Sequence, residues 1–432
     1  MTPLSMKAPY IILPLMCFVL TVTSTSAQVV GQEPRGFQFF GAPPPSAFSA
    51  DLGDVPASDG EAPLDLGIFA RKPFTFTFSV REGYDSNPDT LRSGSDGSFF
   101  TNFGAGISYS FGSPRLQLNA SLGGGMTLYY NRPGDDVDFN GTFSLGATYD
   151  ATPRLTLTIS TSTAYLSQPD VSILGGTNRS DGDYLYTNTV ISAGYQWTEK
   201  FSTITSYRFG AYYYLEDSLN DNQGRIEQTI AQSFNWLILP RTTGLIEYRA
   251  NPVTYFEADL DSFGNFFLLG IDQVLNPRLS WSGRIGAEVR FNNNPVDGTS
   301  TYVGPYFESN LSYQFGPASS IGWLARYGTE ASGLNNVTQR QTFRTGLVLT
   351  HAFTRRLTGA VNVNYLVNYY DQRDVIPSFY ENIVEFSTSL NFAVNRFISL
   401  SAGYQFTIDI APDAPNREYN RSVAFVGANF TF

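Results

Sequence analysis

From Phe74 to Phe432 apolar and polar residues alternate with a period of two. In residues 357–370 (LTGAVNVNYLVNYY), Leu357, Val361, Val363, Tyr365, Val367 and Tyr369 share one face, and Thr358, Asn362, Asn364 and Asn368 share the other. Residues 279–292 set Leu279, Trp281, Ile285, Val289 and Phe291 against Ser280, Ser282, Arg284, Glu288 and Arg290. Residues 398–410 repeat the scheme, with Ile398, Leu400, Tyr404, Phe406 and Ile408 opposite Ser399, Ser401, Gln405, Thr407 and Asp409. Successive strand side chains point to opposite faces, so this is strand periodicity. It persists for 11–14 residues at a stretch, whereas strands of soluble sheets run to about five or six. Long strands with one apolar and one polar face suit a barrel that spans a bilayer around a wet interior.

The connections alternate short and long. Short ones include Gly112-Ser113-Pro114, Ala151-Thr152-Pro153, Thr198-Glu199-Lys200, Asn276-Pro277 and Asn395-Arg396. Long ones include 85–98, 167–183, 371–381 and 411–419. A Pro-Arg-Leu step recurs at Pro114-Arg115-Leu116, Pro153-Arg154-Leu155 and Pro277-Arg278-Leu279, about one hairpin apart. Proline presets a turn dihedral and lacks a ladder donor, so the step marks the tight turn that opens every second strand. The fold class expected is all-β, a transmembrane antiparallel up-and-down β-barrel of about 18 strands (16–18), the first at 74–82 and the last at 420–432. A soluble β-propeller also repeats near forty residues, but a blade needs four short strands per repeat where this chain offers two long ones.

Composition sharpens the picture at both ends. Lys7, the apolar stretch Tyr10–Val22 and the small residues Thr25-Ser26-Ala27 read as a signal peptide over 1–27, which contains the single cysteine, Cys17. Residues 28–72, rich in Pro, Gly, Ala and Asp without periodicity, read as a disordered periplasmic linker, leaving 73–432 as the outer-membrane β-barrel. Beyond the signal no run of 18 apolar residues occurs, which excludes a helical inner-membrane protein. A net charge of −11 argues against a nucleic-acid partner.

Val80–Leu91 (VREGYDSNPDTL) resembles the opening of the putative β-barrel porin 2 family of Gram-negative outer membranes, through Tyr84-Asp85-Ser86-Asn87. The ending GANFTF, with Phe432 last, is similar to the aromatic terminal signal of outer-membrane proteins. The resemblance implies the cell outer membrane, recognition of Phe432 by the outer-membrane assembly machinery, and a link to exopolysaccharide export proteins. Acidic long connections (Asp135, Asp136, Asp138; Asp181, Asp183; Glu257, Asp259, Asp261; Asp413, Glu418) are expected to face outward, bridged by divalent cations to lipopolysaccharide and outer-membrane lipid.

No enzyme chemistry and no cofactor are expected. The single histidine, His351, shares the outward parity of Phe343, Leu347, Leu349 and Phe353, so the usual nucleophile–base pairs cannot be assembled. Asp85-x-Asn87-x-Asp89 departs from a calcium loop at Thr90, where glycine belongs, and reads as Asx turn chemistry. The functional signal lies in charges on the polar parity. Arg208, Glu247, Arg249, Arg284, Glu288, Arg290, Glu308, Arg326, Arg344 and Glu385 are the candidate lumen-lining residues, with Arg81, Glu216, Glu330 and Asp409 sharing that parity. Inward Tyr212, Tyr214, Tyr306 and Tyr370 offer faces for sugar rings or serve as interfacial anchors. The function expected is a channel for hydrophilic solutes, with a general diffusion porin or a non-conducting structural or adhesive barrel as alternatives. If these arginines line the path, changing Arg284, Arg290 and Arg344 to Glu shifts ion selectivity toward cations.

Overall fold

A computed structural model describes residues 74–92, 96–132, 136–167, 183–293, 300–331, 337, 339–370, 378–414 and 417–432. The expected signal peptide and linker lie outside these residues, as does most of the 167–183 connection.

Eighteen strands form one sheet. They are β1 (Phe74–Asp85), β2 (Ser98–Gly112), β3 (Leu116–Tyr129), β4 (Val137–Thr152), β5 (Leu155–Leu166), β6 (Tyr184–Gln196), β7 (Phe201–Tyr214), β8 (Arg225–Leu239) and β9 (Thr242–Tyr255). The second half comprises β10 (Ser262–Asn276), β11 (Leu279–Asn292), β12 (Thr301–Gln314), β13 (Ser319–Ala331), β14 (Gln339–Ala352), β15 (Leu357–Tyr370), β16 (Phe379–Ala393), β17 (Ile398–Ile410) and β18 (Tyr419–Thr431). Each strand pairs antiparallel with its sequence neighbours. β1 also pairs with β18, from Thr77↔Thr431 to Asp85↔Val423, so the sheet closes and no edge is left for aggregation.

Outward positions stay apolar and bare. Ile285, Val303 and Leu269 are each at least 60% exposed, a surface that only lipid covers without penalty. Aromatic residues rim both ends. Tyr84 meets Phe99 and Tyr369 meets Tyr380 near the long connections. Phe201 meets Trp236 and Tyr195 meets Trp197 near the short ones. Such rings suit the two headgroup levels, where one side of the ring is wet.

Five of the tight turns share a capping device. The side-chain oxygens of Ser113, Thr152, Thr198, Thr354 and Asn395 accept the backbone N–H three residues on, at 3.0–3.1 Å. The connection between β12 and β13 instead turns on Gly316, whose φ of +88° a side chain would strain. Arg115, Arg154 and Arg278 of the Pro-Arg-Leu steps are exposed beside these turns.

The closing seam is clasped by the Tyr84-Asp85-Ser86-Asn87 segment. Arg421 at the start of β18 donates two nitrogens to Asp85, which is fully buried. The Asn87 N–H donates to Asp85 Oδ1 at 3.0 Å, the Asx turn expected from sequence, and the Asn87 side chain donates to the Leu91 and Asn420 carbonyls and accepts from the Leu91 N–H.

Candidate functional site: the barrel lumen

The inner face divides into two sectors. Inner positions of β2, β3 and β5 carry no charge, and those of β4 carry only Asp138 and Asp150, one at each end. Apart from Phe100, Tyr129, Ala164 and Leu166 at the long-connection end, this wall is Ser, Thr, Asn, Gln and Gly. Its side chains remain accessible along the middle and the short-turn half: Gln117 and Ser160 are exposed, and Ser121, Asn140, Thr142, Ser144, Thr158 and Ser162 are half-buried. Neighbours on it bond to one another, as Ser121 Oγ does to Ser144 Oγ at 2.7 Å.

The opposite sector, β8 to β16, holds most of the inner charges, set against one another, while Arg208 lies on β7 and the buried Arg81 and Asp409 lie on β1 and β17. Arg249 grips Glu308 with both terminal nitrogens at 2.8 and 3.1 Å and also bonds Glu247. Tyr306 donates to Glu308 Oε2 at 2.6 Å and accepts from Arg249. Arg284 holds Asp272 at 2.7 Å and lies 3.7 Å from Glu247. Glu288 pairs with Arg290 at 2.8 Å. Glu330 is a hub for Arg344 at 2.7 Å, Arg340 at 3.3 Å and Arg326 at 3.7 Å. Arg249 and Glu308 stand on strands β9 and β12, so their bond crosses two intervening strands. It can do so because glycine occurs at inner positions between them. A Cβ on Gly270 would stand 2.4 Å from Arg284 Cδ, so that guanidinium lies flat on the wall only where no side chain rises.

Each candidate from the sequence has a definite place. Glu247, Arg249, Arg284, Glu288, Arg290 and Glu308 are buried in the network just described. Arg326 and Arg344 are half-buried beside Glu330. Arg208 donates to Asn188 at 2.8 Å, outside the arginine–carboxylate cluster. Glu385 is buried and accepts from Asn364 and Gln405. Glu216 does not share the inner face: β7 ends at Tyr214, and Glu216 is the exposed residue preceding the short helix α1 (Asp217–Gln223). Carrying strand parity past the real strand end caused that error. Tyr212, Tyr214, Tyr306 and Tyr370 do point inward, but all are buried, and Tyr370 stacks on Phe379 at 4.6 Å. Their rings serve packing and offer no free face to a sugar. Arg225 and Glu227, paired at 2.8 Å, and Glu381, paired with Arg417 at 2.6 Å, are inner charges that were not singled out. The same parity would have found the three strand residues.

Several of the acidic residues expected in or beside the long connections are engaged within the protein, and Asp138 stands on β4. Asp138 and Asp89 hold Arg132 at 2.6 and 2.8 Å. Burial pulls the Arg132 guanidinium down, but Asp138 and Asp89 outweigh it and raise its pKa above the ordinary value. Asp261 accepts the Tyr255 N–H at 2.8 Å. His351 lies on the outer face, bonded to Ser319 at 2.6 Å and set edge-on to Phe353, far from any inner charge.

Residues 297–432 match the family described as Putative beta-barrel porin 2. No curated protein matches the chain. Among solved structures, Pseudomonas aeruginosa OpdK with vanillate is 9% identical at a TM-score of 0.43, covering 83% of this chain and 99% of that one. Acinetobacter baumannii OccAB3 is 11% identical at 0.44, covering 83% and 99%. The siderophore receptor PirA from Pseudomonas aeruginosa is 9% identical at 0.37, covering 84% and 80%. An apolar belt on a closed barrel belongs in the outer membrane, and within this outer-membrane barrel residues 297–432 are similar to the putative beta-barrel porin 2 family.

Proposed function

We propose that the barrel is a passive channel for hydrophilic, uncharged solutes, and that their path follows the wall of β2 to β5. The carrying observation is the asymmetry of the lumen: the neutral wall is accessible, while the charges opposite are buried in mutual pairs. Eighteen strands enclose more volume than their own side chains usually fill. Small hydroxyl and amide groups leave that volume open and exchange hydrogen bonds with water or solute without a net Coulomb preference. The ten candidate charges then act mainly by shaping the opposite wall. Only Arg208, Arg326 and Arg344, which are not fully buried, remain candidates to meet the solute directly.

Planar-bilayer recording tests this reading. The expected result is steady conductance with weak ion selectivity, and liposome swelling with neutral sugars faster than with charged solutes of equal size. Closed bilayers would replace the channel by the structural or adhesive barrel. A role in exopolysaccharide export follows from the family resemblance alone, and a deletion strain that secretes polymer normally would remove it.

A further inference from the structure

The wall is not regular all the way up. Pairing between β12 and β13 ends at Phe307↔Tyr327, although β12 continues back to Thr301 and β13 on to Ala331. Beyond that point each strand pairs on one side only, β12 with β11 and β13 with β14. Continuing the register would set Thr329 opposite Pro305, which has no N–H to give. The backbone groups of Thr329 are satisfied elsewhere. Its N–H donates to Glu288 Oε2 at 3.1 Å, and its carbonyl accepts from Arg290 Nη2 at 3.4 Å. Both side chains stand on β11, one strand beyond the lost partner. The reach is short because Gly304 lies between, and because Gly328 lets β13 settle on the Tyr306 ring, which a Cβ would meet at 2.8 Å. Ala331 packs with Val253, Tyr255 and Leu260 at the loop end of β9. Val337, on the far side of the same connection, packs with Tyr370 and Phe379 on the inner faces of β15 and β16. The β13 tip has therefore left the cylinder and leans over its inner surface.

We propose that this tip, Gly328–Ala331, narrows the lumen at the long-connection end, and that Glu288 and Arg290 are positioning residues that hold it there in place of the missing ladder bonds. The proposal rests on the channel reading above, so its test carries a readout independent of conduction. In a chain with Cys17→Ser, the pair Val253→Cys and Ala331→Cys is expected to cross-link under mild oxidation or with a short thiol reagent. Glu288→Ala with Arg290→Ala removes both charges together, so neither is left buried alone. This double variant is expected to lose most of the cross-link and to raise single-channel conductance roughly twofold or more. Glu288→Gln has one carbonyl oxygen where Glu288 uses two, for the Thr329 N–H and for Arg290, so it is expected to fall between the parent and the double variant in both measurements.

Absence of the cross-link in the parent overturns the proposal. So does a double variant that keeps both the parent conductance and the cross-link. A silent parent whose double variant conducts supports it. If neither conducts, the channel reading falls and the narrowing role with it, even where the cross-link forms.

Discussion

Arg249 shows what one inner charge requires in this barrel. It is buried, and its three guanidinium nitrogens bond Glu247, Glu308 and the Tyr306 hydroxyl. A charge taken from water is tolerated only when paired and hydrogen-bonded. Arg249→Ala strands Glu308, which is 7% exposed, beside Glu247, which is 1% exposed. A loss of about 3–5 kcal/mol is expected. It should appear as a lower temperature for the gel-mobility transition of the detergent-solubilised protein, and Arg249→Ala with Glu308→Ala should recover part of it. Equal transitions for parent and Arg249→Ala would mean that the pair is not buried in solution. Parity placed both residues on the inner face in advance, because one strand's side chains alternate whatever their neighbours do. It could not choose their partners. That depends on which positions between them lack side chains, as at Gly270 and Gly286, and on the register of β9 through β12.

At the scale of the element, eighteen strands were legible because lipid outside and water inside enforce alternation along nearly the whole of each strand. The turns were legible through proline and arginine, although the hydrogen bonds are made one or two residues earlier. Ser113 and Thr152 cap them, and Thr198 and Thr354 do so with no proline nearby. Thr198→Ala should therefore cost about 0.5–1.5 kcal/mol, whereas Lys200→Ala, which keeps the cap, should change the same transition little. The inward lean of β13 was not legible. Alternation reports which face a residue is on, and a strand tip that leaves the sheet keeps its alternation. The available signals were Pro305 inside a strand and glycine at 304 and 328. The seam makes the sharper prediction. Asp85→Ala removes the carboxylate that the Arg421 guanidinium holds at the long-connection end of the seam between the first and last strands. The heat-resistant, fast-migrating form should be reduced more by this change than by Asp89→Ala, whose partner Arg132 retains Asp138. A reversed order would show that Asp85 does not hold the barrel closed.

The whole molecule sets charge against path. Reading the inner arginines as the lining of the channel predicts that Arg284, Arg290 and Arg344 changed to Glu shift selectivity toward cations. The ion pairs alter that expectation. Arg284 and Arg290 are buried against Asp272 and Glu288, so replacing them by Glu crowds carboxylates and threatens the fold before it tells anything about ions. The accessible neutral wall is the cleaner place to add charge. Thr142, Ser160 and Ser162 lie on the inner faces of β4 and β5, and none is buried. Thr142→Asp, Ser160→Asp and Ser162→Asp together place three carboxylates along the proposed path, close enough to act through the roughly 8 Å over which 0.15 M salt screens them. Cations passing that wall gain attraction and anions meet repulsion, so the permeability ratio should move toward cations severalfold. In a salt gradient the reversal potential should shift accordingly, and the shift should shrink as salt is raised. The same substitutions leave the ion pairs of β8 to β16 untouched, so the gel-mobility transition should stay near that of the parent. An unmoved reversal potential in a folded, conducting triple variant would mean that the solute path avoids β4 and β5, and that the half-buried arginines Arg208, Arg326 and Arg344 border it instead.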